Sequence, residues 1–223
     1  MRERGVAFRL RPFLMAGQRP RSGPTEGRLM DAVTRGLMDQ LAGGGLAQIS
    51  SAVGIDEKSA GSALSAAMPL LVSALATNAS KPQGAGDLLE ALQEDHDGSI
   101  LGNLGGLLQD PAAGEGPGIL QHALGAGRPT VEQGLAEKTG LSAGQIGKLL
   151  MIAAPLVMGM LGKTQREEGL DAGGLSSLLG SAMQDDAQDS PDLMSILNSA
   201  LDADKDGSAV DEVMGFLGKM FKK

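Results

Sequence analysis

Two stretches of this sequence are apolar enough to demand burial, and each carries a proline: Met68-Pro69-Leu70-Leu71-Val72-Ser73-Ala74-Leu75 and Ala154-Pro155-Leu156-Val157-Met158-Gly159-Met160-Leu161. The prolines lie 86 residues apart, and the same offset relates Gly54-Ile55 to Gly140-Leu141, Gly61 to Gly147, and Leu89 and Leu92 to Leu175 and Leu178. Spacing kept over so long a stretch predicts two related halves, each organised round one apolar helix. A proline inside a helix removes one hydrogen bond and clashes with the preceding turn, so a kink or a split is expected at Pro69 and at Pro155.

Composition decides the class. There are four Phe and no Trp, Tyr or Cys, so the interior must be built from Leu, Ala, Met, Val and Ile. Leu and Ala are strong helix formers, and the aromatic and β-branched residues that favour strands are scarce. The 34 glycines argue for many short helices in close contact. The expectation is an all-α protein of two pseudo-repeated halves and about ten short helices, each half holding a proline-kinked apolar helix. Each half is small for burying that helix alone, so the kinked helices are expected to pack between halves or across a dimer.

The charge is unevenly spread. Residues 1–28 hold seven Arg against two Glu, a net of +5, whereas residues 29–223 hold 12 Lys and Arg against 25 Asp and Glu, a net of −13. So acidic a body disfavours nucleic acid, which needs its phosphates neutralised. The lack of cysteine removes disulfide and thiolate chemistry and fits a reducing cytoplasm. The longest apolar run, Leu149 to Gly162, contains Pro155 and two Gly. It falls short of the roughly 20 residues needed to span a bilayer, so a buried core helix is the plainer reading and no transmembrane segment is expected.

Residues 1–28 are Arg-rich and punctuated by Pro and Gly. The true start is expected at Met30, with this stretch an over-extended reading of the gene; a disordered basic tail and an amphipathic targeting segment are the other readings. Residues 29–109 form the first helical half. Within it Gly54 closes a short helix, Asp56 N-caps the long one, and Asn78 to Gly86 forms a polar break. Gly105 and Gly106 lie in a helical context, where small residues allow close packing. Residues 110–129, rich in Gly and Pro, read as a linker with one short helix near Ile119 to Leu124. Residues 130–223 form the second half. Thr130-x-x-Gln133 and Ser142-x-x-Gln145 both fit a capping box, Gly140 closes a helix, and Gln184 to Asp189 reads as an acidic interruption before a helix starting at Ser190-Pro191.

An acidic turn also repeats. Asp95-x-Asp97-Gly98-Ser99 matches Asp204-x-Asp206-Gly207-Ser208 at an offset of 109, which implies a 23-residue insertion in the second half around residues 180–202. The second copy resembles an EF-hand-type loop: Asp202, Asp204 and Asp206 stand at positions 1, 3 and 5, Gly207 at 6 and Ser208 at 7. Position 12, where a bidentate Glu belongs, is Val213, with Asp211 and Glu212 beside it. A calcium site would therefore use Asp202, Asp204, Asp206, Ser208, Asp211 and Glu212. The competing reading is a helix cap, with Ser208-x-x-Asp211 as capping box. The first copy favours the cap, because Gln93 stands where Asp202 does.

Beyond calcium no cofactor is implied. The only histidines are His96 and His122, and neither belongs to a motif tying it to a particular Ser and Asp. His96, between two Asp, reads as a solvated turn residue sooner than as a metal ligand. A polar cleft gathering His96 or His122 with carboxylates from both halves would be needed to favour an enzyme of unrecognised type. The methionines read as gap-fillers in a core without aromatics.

With these pieces laid out in order, VEQGLAEKTGLSAGQIGKLLMIAAPLVMGMLGK, GLDAGGLSSLLG, LDADKDGSAVDEVMGFLGKMF and, in the first half, DHDGSILGNLGGLL, the chain resembles a bacterial family known as domain of unknown function 937 over roughly residues 30–221. The resemblance implies a small, helical, Gly/Ala/Leu-rich bacterial protein and supplies no activity. The functional expectation is a non-catalytic cytoplasmic protein-interaction module with an unknown protein partner, or a self-associating homo-oligomer. The alternatives are a Ca²⁺-binding module and an enzyme.

Overall fold

A computed structural model describes residue 41 and residues 43–202. Every regular element among them is helical, and no strand occurs. The α-helices are α1 (Gly45–Val53), α2 (Glu57–Ala79), α3 (Gly84–Glu94), α4 (Leu104–Gln109), α5 (Gly116–Leu124), α6 (Arg128–Thr139), α7 (Ala143–Glu168), α8 (Ala172–Asp189) and α9 (Pro191–Leu201), with short 3₁₀ turns at Ser99–Gly102 and Gly125–Gly127.

The two apolar segments lie within α2 and α7, and the ends of both helices follow from local chemistry. Asp56 Oδ1 accepts from the Ser59 backbone N–H at 2.9 Å, and Oδ2 from the Ser59 hydroxyl at 2.6 Å. At the start of α7, Ser142 Oγ accepts from Gln145 N at 3.3 Å, while the Gln145 side chain accepts from Ser142 N at 2.9 Å. These bonds satisfy amide groups that a helix start leaves without partners. Gly54 and Gly140 close the preceding helices in the left-handed region, at φ 80° and 75°. These caps and starts keep the 86-residue offset.

Both helices run through their prolines without splitting. Pro155 deprives the Met151 carbonyl of its amide four residues on. Gly116 of α5 lies against that carbonyl, so closely that a Cβ at 116 would overlap it.

One apolar cluster draws on both halves. Leu64, Met68, Leu70, Leu71 and Val72 of α2 are buried with Ile146, Leu149, Leu150, Leu156 and Val157 of α7, and with Leu175 and Leu179 of α8. α2 packs most extensively on α8 and next on α7. By length and composition α2 and α7 could each cross a membrane, their most apolar 18-residue windows having a mean hydropathy of 1.5. In this fold 67% and 72% of those windows are buried within the protein. Met68 and Met158 fill the core.

Several boundaries differ from expectation. α6 begins at Arg128, ahead of Thr130, with Pro129 in its first turn and no side-chain cap; proline is preorganised for that position. The break after α2 narrows to residues 80–83, because Asn78 stays helical. The stretch 110–129 carries α5, whose Leu120, Ala123 and Leu124 are buried. Gly105 faces open space and Gly106 meets only the Asn103 side chain. The close approaches occur elsewhere, at Gly116, at Gly127 against the Ala200 carbonyl, and at Gly162 against the His96 carbonyl.

The acidic stretch 184–189 is not an interruption: α8 continues through it. Asp186 points inward, 7% exposed, and accepts a hydrogen bond from the Ser73 hydroxyl of α2 at 3.0 Å. Burial pushes its carboxyl up to about 6; the Ser73 bond opposes the rise, and the Asp185 and Asp189 charges add to it. A native pKa above the unfolded 3.8 means that the folded state holds the proton more tightly. This contribution to stability is complete at low pH and is lost as pH rises from about 4 to about 6. At about 1.4 kcal/mol per pKa unit the cost above pH 6 is at most about 3 kcal/mol. Asp186→Asn keeps the acceptor and removes the charge, so denaturant melts should show it stabilised at pH 7–8 with the slope between pH 4 and 6 flattened. Ser73→Ala should lose about 1–2 kcal/mol at neutral pH. An Asp186→Asn protein with the wild-type pH slope would contradict the assignment.

Candidate functional site

A cleft of about 410 Å³ opens where the end of α2, α3, α5 and the middle of α7 converge. Its floor and walls are apolar. Leu75, Ala79 and Met158 are buried, and Leu88, Ala91 and Ile119 half-buried. Its rim is polar, with Asn78, Asp87, Asp95 and both histidines of the chain.

Local interactions hold each wall. The Asn78 side-chain amide donates to the carbonyls of His122 (3.1 Å) and Ala123 (2.9 Å), and to Ala74 of its own helix (3.1 Å). It thus satisfies carbonyls at the end of α5 and ties that helix to α2. Lys81 Nζ donates to Asn78 Oδ1 at 2.7 Å. Across the cleft, Arg166 of α7 donates to the Leu92 and Gln93 carbonyls at 3.4 and 3.2 Å, a cation set where the α3 dipole favours one.

The turn after α3 forms one end of the floor. His96 is 7% exposed, so it is not the solvated turn residue expected from its acidic neighbours. Its Nδ1 lies 3.5 Å from Glu115 Oε2, and its carbonyl meets Gly162 of α7. The main chain turns at Gly98 with φ 86°, a left-handed conformation open to glycine. Asp97 Oδ1 accepts from Ser99 N at 2.8 Å, and hydrogen bonds from Ser99, hydroxyl first and backbone second, hold the Asp97 carboxyl below its ordinary range. The first copy of the acidic repeat is therefore a turn cap.

The cleft brings together His96, His122, Asp87 and Asp95. The carboxylates come from the first half only; the second half contributes Met158. Among the described residues no hydrogen bond joins either imidazole to Asp87 or Asp95, neither Asp forms an ion pair, and no three potential metal-ligating side chains cluster. The sequence placed His96 beside Asp95 but gave no sign that His122 and Asp87 are their neighbours, because α3 and α5 come to the cleft by each packing on α2 and α7.

Of the calcium candidates only Asp202 is described. It is half-buried, and its Oδ1 is buried with no hydrogen-bond partner among the described residues. Asp204, Asp206, Ser208, Asp211 and Glu212 lie outside the described residues, as do residues 1–28.

A family profile described as bacterial protein of unknown function (DUF937) matches residues 35–164, more than half of the chain. α8, α9 and the second acidic turn lie beyond that match. No curated protein matches the chain, and no solved structure does. The matched span holds all of α2 and α7 up to residue 164, and the chain belongs to the bacterial family of unknown function DUF937.

Proposed function

We propose that this protein is a non-catalytic interaction module of the cytoplasm whose docking surface is the cleft between α2, α3, α5 and α7. The observation that carries the reading is the pairing of an apolar floor with a rim bearing two carboxylates, Asp87 and Asp95, that form no ion pair among the described residues. Apolar walls supply affinity for a protein segment, and unpaired charge at the edge sets its orientation and favours a basic partner. Self-association through the same surface is the second form of this reading. The constant 86-residue offset of the caps and prolines supports an origin of the two halves by duplication.

The cysteine-free chain gives a direct test, since one introduced thiol can carry a photo-crosslinker at a known position. Ile119→Cys on the cleft wall should yield discrete adducts in cells, whereas Ser177→Cys on exposed α8 should not. Equal adducts from both positions, or none from either, would count against the cleft as a docking surface.

One observation favours a second reading, a calcium module using Asp202, Asp204, Asp206, Ser208 and a carboxylate at Asp211 or Glu212. It is the buried, unpartnered Oδ1 of Asp202, the first residue of that stretch. Incomplete loops of this type bind weakly, with Kd of order 10⁻⁴–10⁻³ M. Calorimetric titration to millimolar Ca²⁺ should give a binding heat that Asp202→Asn and Asp204→Asn abolish; a flat titration leaves the helix cap.

A further inference from the structure

We infer that the cleft between α2, α3, α5 and α7 binds a linear aliphatic polyamine. One terminal ammonium is held at Asp87 and the other at Asp95, and the methylene chain lies along the apolar wall between them. The inference goes beyond the reading of the cleft as a docking surface, because it concerns a small molecule and needs no protein partner. Three observations carry it.

The first is the spacing of the charges. Asp87, Ala91 and Asp95 follow one another at four-residue steps along α3 and its C-cap, and all three line the cleft. Residues four apart share one helix face, so the stripe reads carboxylate, methyl, carboxylate. Eight residues of helix set the two aspartates about 12 Å apart along the axis. Leu88 flanks the stripe, and Leu75, Ile119 and Met158 complete the apolar lining. The ligand that matches is a rod with a cation at each end and an apolar body. An extended chain advances about 1.2 Å per bond, so nitrogens about nine or ten bonds apart fit, as at the two ends of spermidine. The cleft volume of about 410 Å³ suits a small molecule of this kind.

The second is the charge around the stripe. From Gly84 to Asp95 the chain carries Asp87, Glu90, Glu94 and Asp95 and no basic residue. Neither Asp87 nor Asp95 forms an ion pair among the described residues. The cations bound to the cleft walls are engaged elsewhere, Lys81 with Asn78 Oδ1 and Arg166 with the Leu92 and Gln93 carbonyls. A cleft with one sign of charge and apolar walls concentrates ions of the other sign.

The third is His96. It is 7% exposed and lines the cleft, yet among the described residues its imidazole makes no hydrogen bond. Its one charged neighbour is Glu115, with Oε2 3.5 Å from Nδ1. Buried polar groups are rarely left without a hydrogen bond. With Nδ1 turned to Glu115, Nε2 is the nitrogen that can accept from a ligand. An ammonium has three donors, so the one held at Asp95 has a second acceptor in the adjacent His96.

The only two histidines of the chain both line the cleft, so their imidazole NMR signals report on it. In the purified full-length chain at fixed ionic strength, spermidine should shift both signals saturably. The dication 1,8-diaminooctane, of the same length, should do so too. Putrescine, an equally charged dication about half as long, should bind about tenfold more weakly. Asp87→Asn/Asp95→Asn should weaken spermidine binding about tenfold. Glu90→Gln/Glu94→Gln removes two charges from the same helix at positions that do not line the cleft, and should change affinity less than about twofold. Signals unmoved by millimolar spermidine would overturn the inference. So would equal affinity for putrescine and 1,8-diaminooctane, or equal weakening by the two double variants, since either would reduce the effect to general attraction of cations to an acidic chain. This binding is read on the purified chain and the Ile119→Cys adducts are read in cells, so either reading can fail while the other stands.

Discussion

Close approach of one helix backbone to another is the constraint on which this structure depends. No aromatic side chain is available among the described residues, and the buried set is Leu, Ala, Ile, Val and Met. Such a core coheres only where helices come near enough for short side chains to touch, because a gap of even half an ångström forfeits much of the dispersion energy. Glycine supplies that approach. At Gly162 the main chain of α7 meets the His96 carbonyl, and at Gly116 the main chain of α5 meets the Met151 carbonyl. The second contact falls on the carbonyl that Pro155 leaves without its helical amide. The proline therefore gives α7 a site of contact instead of a break.

The cleft is a by-product of that arrangement. Gly162 fixes the turn carrying His96, Arg166 one helical turn on holds the end of α3, and Asn78 holds the end of α5. The turn at His96 and the ends of α3 and α5 are thus held round a space that no described side chain fills. The Ser73–Asp186 bond plays a similar part deeper in the core, joining α8 to α2 at the cost of a desolvated carboxylate. A buried charge with one hydroxyl partner is poor for stability but specific, since it fixes how α8 lies on α2.

Much of this was legible in the sequence, for physical reasons. Caps are local: Asp56, Ser142 with Gln145, Gly54 and Gly140 act on amides and carbonyls within a few residues of themselves, and each was read correctly. The helical class followed from a composition rich in Leu and Ala and poor in strand formers. What depends on packing was hidden. Gln184 to Asp189 looked like a solvated acidic run, and only the placement of α8 on α2 shows that one of its carboxylates points inward. His96 looked solvated because its neighbours are acidic, yet the glycine-mediated approach of α7 buries it. Gly105 and Gly106 looked like packing glycines but face solvent or their own cap, while Gly116, Gly127 and Gly162, with nothing in their neighbourhood to mark them, carry the contacts.

The most direct test of this account is the stability of Gly162→Ala set against Gly105→Ala, both measured by reversible denaturation of the full chain. A Cβ at 162 would overlap a backbone carbonyl that cannot swing aside, so the loss should be about 3 kcal/mol. A Cβ at 105 meets nothing within 4 Å, and alanine in that helical position should be neutral or stabilising by up to about 1 kcal/mol. Equal and small effects at the two positions would show that main-chain contact at Gly162 does not hold the fold together.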